Sequence, residues 1–179
     1  SEDFQIDFGE LEQAFTEKTK AVILNSPNNP SGVVASEKNI IRLAALLTKR
    51  SMAYGHPIYL IGDEPYRELI YDNVKVPYLS KYYADTLICY SYSKSLSIPG
   101  ERIGYILVPG EAACAKEMYA AICGAGRALG YVCAPSLMQQ VVAECTGQVA
   151  DLSVYKKNRD LLCHALQAYG YTCIRPEGA

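Results

Sequence analysis

Lys94 ends the run Ser91-Tyr92-Ser93-Lys94, directly after the apolar stretch Thr86-Leu87-Ile88-Cys89-Tyr90. Arg102 follows in Gly100-Glu101-Arg102-Ile103-Gly104-Tyr105. An amine at the mouth of a buried strand can form a Schiff base with an aldehyde, and a guanidinium can hold a phosphate. Upstream, two runs of loop-forming residues carry Asn29 and Asp63-Glu64-Pro65-Tyr66. Each residue alone has a plainer reading. A lysine after a strand is usually solvated, and Asp63 before Glu-Pro can simply cap a turn. Arg102 beside Glu101 can be a surface ion pair of little energetic consequence. The coincidence of all of them in one chain is what points to chemistry.

The elements that must position them are readable from periodicity. Glu10 to Lys18 reads as a short helix with Leu11, Ala14 and Phe15 on one face. Ala21-Val22-Ile23-Leu24 is a continuous apolar run, as expected of a buried strand. It runs into Asn25-Ser26-Pro27-Asn28-Asn29-Pro30-Ser31-Gly32, a cluster of loop formers. Ser36 suits the cap of a helix whose buried face is Ile40, Ile41, Leu43, Ala44 and Leu47, with Lys49 and Arg50 at its end. Ile58 to Gly62 and Thr86 to Tyr90 are further strands, and Ile103 to Val108 a fourth. The short connection between the last two favours an antiparallel pair. Glu111 to about Ile122 reads as a helix followed by a flexible Gly124-Ala125-Gly126, Pro135 to about Cys145 as another, and Asp151 to Tyr169 as a longer one stopped by Gly170. This alternation predicts an α/β fold: a mainly parallel sheet with one antiparallel strand and flanking helices. Residues 1–147 are expected to form part of a large domain. Residues 148–179 are expected to be a linking helix and the start of a small one.

Composition narrows the classes. The chain has 179 residues and a net charge of −2, which gives no support for nucleic-acid binding. No apolar run approaches the roughly 20 residues that span a bilayer, and Ser1-Glu2-Asp3-Phe4 is not a signal peptide. The seven cysteines form no CxxC pair and lie mostly in apolar stretches. They read as reduced, small core residues of a cytoplasmic protein. His56 and His164 sit near no cysteine-ligand spacing, so no metal site is expected.

In a parallel α/β sheet the ligand crevice lies beyond the carboxyl ends of the strands. Asn29, Asp63 and Lys94 each follow a predicted strand, so they can converge despite their separation in sequence. Pyridoxal phosphate (PLP) chemistry needs such a set. An amine carries the aldehyde. A carboxylate keeps the ring nitrogen protonated, a phenol and an amide face the ring hydroxyl, and hydroxyls with an arginine hold the phosphate. Lys94, Asp63, Tyr66 and Asn29 match the first four tasks. Ser91, Ser93 and Arg102 match the last.

With these runs in view, the chain resembles the class I/II PLP-dependent aminotransferases of the aspartate aminotransferase fold (fold type I). The matching motifs are Asn29-Pro30-Ser31-Gly32, Asp63-Glu64-Pro65-Tyr66, Ser91-Tyr92-Ser93-Lys94 and Gly100-Glu101-Arg102-Ile103-Gly104-Tyr105, in the family's order. Tyr155 to Gly170 followed by Pro176-Glu177-Gly178-Ala179 is similar to the family's entry into its small domain. The resemblance implies PLP as cofactor and the exchange of an amino group between an α-amino acid and a 2-oxo acid. It implies catalytic roles for Lys94, Asp63 and Tyr66, and a homodimer for the full-length protein. It also implies further segments on both sides: a glycine-rich phosphate turn upstream and an α-carboxylate clamp downstream. By that pattern this chain is an internal fragment, inactive alone. A C–S β-lyase or decarboxylase of the same fold, and the aminotransferase-like ligand-binding domain of a transcriptional regulator, stay open as alternatives.

Overall fold

The computed structural model describes residues 3–179. Strands β1 (Ala21–Asn25), β2 (Tyr59–Asp63), β3 (Thr86–Ser91) and β4 (Gly104–Leu107) form one sheet in the order β1-β2-β3-β4. The first three are parallel, with Asn25 opposite Asp63 and Asp63 opposite Cys89. β4 runs antiparallel to β3, pairing Ser91 with Gly104. The α/β sheet expected from the sequence is therefore present, including its single antiparallel pair.

One face of the sheet is covered by α1 (Phe8–Ala14) and α2 (Glu37–Tyr54). Ile40, Leu43, Ala44 and Leu47 of α2 close onto Leu60 and Ile88, with Phe8, Phe15, Leu79 and Tyr83 filling the rim. Period-2 alternation puts Val22 and Leu24 on this side and leaves Ile23 exposed on the other. Ser36 Oγ accepts the Asn39 N–H at 3.3 Å and caps α2. Ser36→Ala is expected to cost about 1 kcal/mol, read as a shift of the urea midpoint at unchanged slope.

The helix bounds differ from the sequence reading in three places. α1 begins earlier than Glu10 because Asp7 Oδ1 accepts from the N–H groups of Gly9 and Glu10. It stops at Ala14 because Thr16 and Thr19 close their own turn: the Thr16 N–H donates to Thr19 Oγ1, and the Thr19 N–H to the Thr16 carbonyl. α2 runs past Arg50 to Tyr54 and ends on Gly55, left-handed at φ 70°. α4 (Ala115–Ala128) starts after Glu111 and passes through Gly124 and Gly126, which were read as a flexible break. Alanine, isoleucine and arginine around the glycines carry the helix, each glycine weakening it by about 1 kcal/mol without ending it.

α3 (Tyr92–Ser95) is a single turn following β3; α5 (Ser136–Glu144) and α6 (Ser153–Ala168) complete the chain. α4 and α5 contain no buried residue, and α6 buries Arg159 and Cys163. The cysteines consequently depart from the core role expected of them. Cys163 is buried, but Cys114, Cys123 and Cys133 are exposed on or beside α4. No helix of the described residues is long and apolar enough to cross a membrane.

Candidate active site

Three strands end side by side, and the carboxyl edge of the sheet gathers their polar residues. Asn25 ends β1 and Asp63 ends β2. The Asn25 amide donates to both the Asp63 carbonyl and Asp63 Oδ2, each at 3.0 Å. Asn25 Oδ1 in turn accepts from Asn28 Nδ2 at 2.9 Å and from the Asn29 N–H at 3.3 Å. Asn28 Oδ1 accepts from the Ser31 hydroxyl and N–H. The loop after β1 is thus folded by asparagine side chains, which suits residues that bond readily to nearby backbone.

That loop delivers Asn29 to Tyr66. Asn29 Nδ2 donates to the Tyr66 hydroxyl at 2.9 Å, across two loops far apart in sequence. Lys94 Nζ lies 5.7 Å from the centre of the Tyr66 ring, within reach of its π face. An amide, a phenol and an amine therefore meet. Lys94 is exposed on the turn α3. Ser91 caps that turn, accepting the Ser93 N–H at 3.2 Å, and its hydroxyl donates to Ser93 Oγ at 2.7 Å.

Two expected residues stand apart from this trio. Asp63 bonds to Asn25, and Arg102 Nη1 donates to the Pro99 carbonyl at 2.8 Å. Among the described residues neither hydrogen-bonds to Lys94, Asn29 or Tyr66. Arg102 is exposed and left-handed at φ 51°, uncommon for a residue with a side chain. Asp63 faces Cys89 across the sheet, and burial, with the Asp63 charge second, pushes the Cys89 thiol up. The thiol stays protonated there.

Sequence reasoning passed over several groups that build this edge. Asn25 reads in sequence only as a loop former, and its role comes from the strand register that sets it opposite Asp63. Glu64 is buried and meets Arg67 Nε at 2.6 Å. Arg67 also donates to the carbonyls of Val76 and Pro77. Tyr90 donates to Glu68 Oε2 at 2.7 Å and stacks on Tyr105 at 5.1 Å. Burial pushes the Tyr90 phenol far up, so it remains a donor. Gly104 is required where β4 meets β3, because a Cβ there would strike the Tyr90 carbonyl oxygen.

The family model for aminotransferase class I and II matches residues 1–179. The chain belongs to that family. Members similar to it include an aspartate aminotransferase of Pyrococcus abyssi, 30% identical over 99% of this chain and 45% of the relative. Another is aromatic-amino-acid aminotransferase 2 of Thermococcus litoralis, 28% identical over 99% of this chain and 45% of its own length. A solved aminotransferase structure from Eubacterium rectale superposes with a TM-score of 0.98 at 59% identity, covering 99% of this chain and 45% of that one. This aminotransferase-family chain thus spans about 45% of the length of the relatives it matches.

Proposed function

We propose that this segment provides the cofactor-anchoring part of a PLP-dependent aminotransferase acting on an α-amino acid and a 2-oxo acid. The observation that carries the reading is the meeting of Lys94 with a phenol whose oxygen is held by an amide, Tyr66 with Asn29. Family membership supports it. The relatives' names include both aspartate and aromatic amino acids, so the reading stops at the α-amino acid class.

The donor set suits an aromatic aldehyde phosphate. Lys94 would anchor the aldehyde. Asp63, oriented by Asn25, would hold a proton on the ring nitrogen. Asn29 and Tyr66 would face the ring oxygen, and Ser91, Ser93 and Arg102 the phosphate. When bound, the ring supplies an electron sink for charge developing at the substrate Cα. Lys94, as a free amine, takes the Cα proton as general base. Tyr66 donates toward negative oxygen while Asn29 fixes its direction. Because the chain spans about 45% of its relatives, turnover is proposed for the whole protein, and the segment alone is expected to show little.

Borohydride reduction of PLP-treated protein tests the anchor. The expected product is one stably labelled peptide, containing Lys94, in proteolytic mapping by mass spectrometry. A label concentrated on any other lysine refutes the assignment.

A further inference from the structure

We propose that Pro176–Ala179 acts as a latch holding the Asn29–Tyr66 pair together, with Glu177 as its positioning residue. The consequence for the cofactor rests on the PLP reading above; the latch itself does not.

The pair has a second support beyond the Asn25 side chain. Asn29 is exposed, and its 2.9 Å bond to Tyr66 spans the loops that follow the paired strands β1 and β2. Glu177 touches both sides. Its Oε2 accepts the Val34 N–H at 3.0 Å, and its own N–H donates to the Gly32 carbonyl at 2.7 Å. Its carbonyl accepts the Tyr71 N–H at 2.7 Å, beyond Tyr66 on the second loop. The next two residues repeat the pattern: the Gly178 N–H donates to the Gly32 carbonyl, and the Ala179 N–H to that of Leu69. The first loop is thereby hydrogen-bonded to the tail, and the tail to the second loop. A carboxylate on a backbone N–H is a charge-assisted bond, stronger than a neutral one.

The tail is itself anchored. Arg159, 7% exposed, donates to the Pro176 carbonyl at 3.0 Å and to Asp72 Oδ2 at 2.8 Å. Pro176 presses on Gly32, which is left-handed at φ 69°, and a Cβ at Gly32 would collide with the proline. Gly32 is thus fitted to the tail in space as well as in backbone conformation.

The test follows the Asn29 side-chain amide by NMR in the full chain without cofactor, using Tyr66→Phe as the reference for a lost bond. In Glu177→Ala the signal should move most of the way to that reference. Glu177→Gln, which keeps an acceptor oxygen, should restore it. Gly32→Ala, which displaces Pro176 but leaves the Glu177 side chain unaltered, should act like Glu177→Ala, with the amide signals of β1–β3 reporting that the sheet persists. An unmoved Asn29 signal in both alanine variants overturns the latch. With PLP loaded, the pH midpoint of the visible band should rise by about one unit in Glu177→Ala, the effect of a weakened hydrogen bond to a charged oxygen. A fixed midpoint despite a displaced Asn29 signal overturns the link to the cofactor. If the unaltered protein takes no PLP on Lys94 while the Asn29 signal still moves, the proposed function fails and the latch stands.

Discussion

Lys94→Ala is expected to abolish the visible absorption band of the PLP-loaded protein while leaving unfolding stability almost unchanged. The two effects separate because of where the side chain sits. Lys94 is exposed on a one-turn helix, and its contact with the Tyr66 ring is 5.7 Å from the centroid. Such a cation–π contact at an exposed site is worth about 0.5–1 kcal/mol. Loss of the amine would instead remove the group proposed to condense with the aldehyde, so the covalent chromophore would not form. Absorbance spectra across a pH series, paired with urea unfolding, read both quantities. A spectrum matching that of unaltered protein would exclude Lys94 as the anchor.

Arg67→Met has the opposite profile, with a large expected loss of stability of about 3–5 kcal/mol. The Glu64 side chain is 3% exposed and that of Arg67 12%. Removing the guanidinium strands a carboxylate in the interior without a counter-charge. It also frees the carbonyls of Val76 and Pro77 and uncovers the Tyr78 ring, over which Arg67 lies at 4.2 Å. Neutralising both partners, as Glu64→Gln with Arg67→Met, should recover part of the loss because no buried charge remains. Urea unfolding of the two variants decides it; a cost below about 1 kcal/mol for the single change would show that Glu64 tolerates isolation. The pair matters to the site because Glu64 follows Asp63 directly. Its N–H donates to the Cys89 carbonyl at 2.9 Å, extending the β2–β3 ladder past the strand end.

What the sequence made legible was local. The strands ending at Asn25, Asp63 and Ser91 are short apolar runs closed by polar residues, and they lie where that pattern puts them. The Ser36 cap was visible for the same reason: cap and helix are neighbours in the chain. Asn29, Tyr66 and Lys94 were nameable as a set because their motifs are distinctive, and the structure brings them together. Illegible were the partners supplied from elsewhere. Nothing near Asn25 announces that its amide turns to Asp63, because the strand register decides it. Glu64 looked like part of a motif rather than half of a buried ion pair. Cys114, Cys123 and Cys133 sit in apolar stretches, yet hydrophobic neighbours in sequence do not supply a covering surface in space. Glu177 had no signal beyond its place in a motif, since its contacts lie on residues met much earlier.

Val34 and Glu177 are 143 positions apart in the chain. During synthesis from the amino end, Lys94 leaves the ribosome long before the acid that grips Val34 has been added. β1, α2, β2 and β3 can assemble first, since their packing partners are already made. An emerging polypeptide therefore displays the Lys94 amine beside β1–β3 while the loops after β1 and β2 still lack their contacts with Glu177.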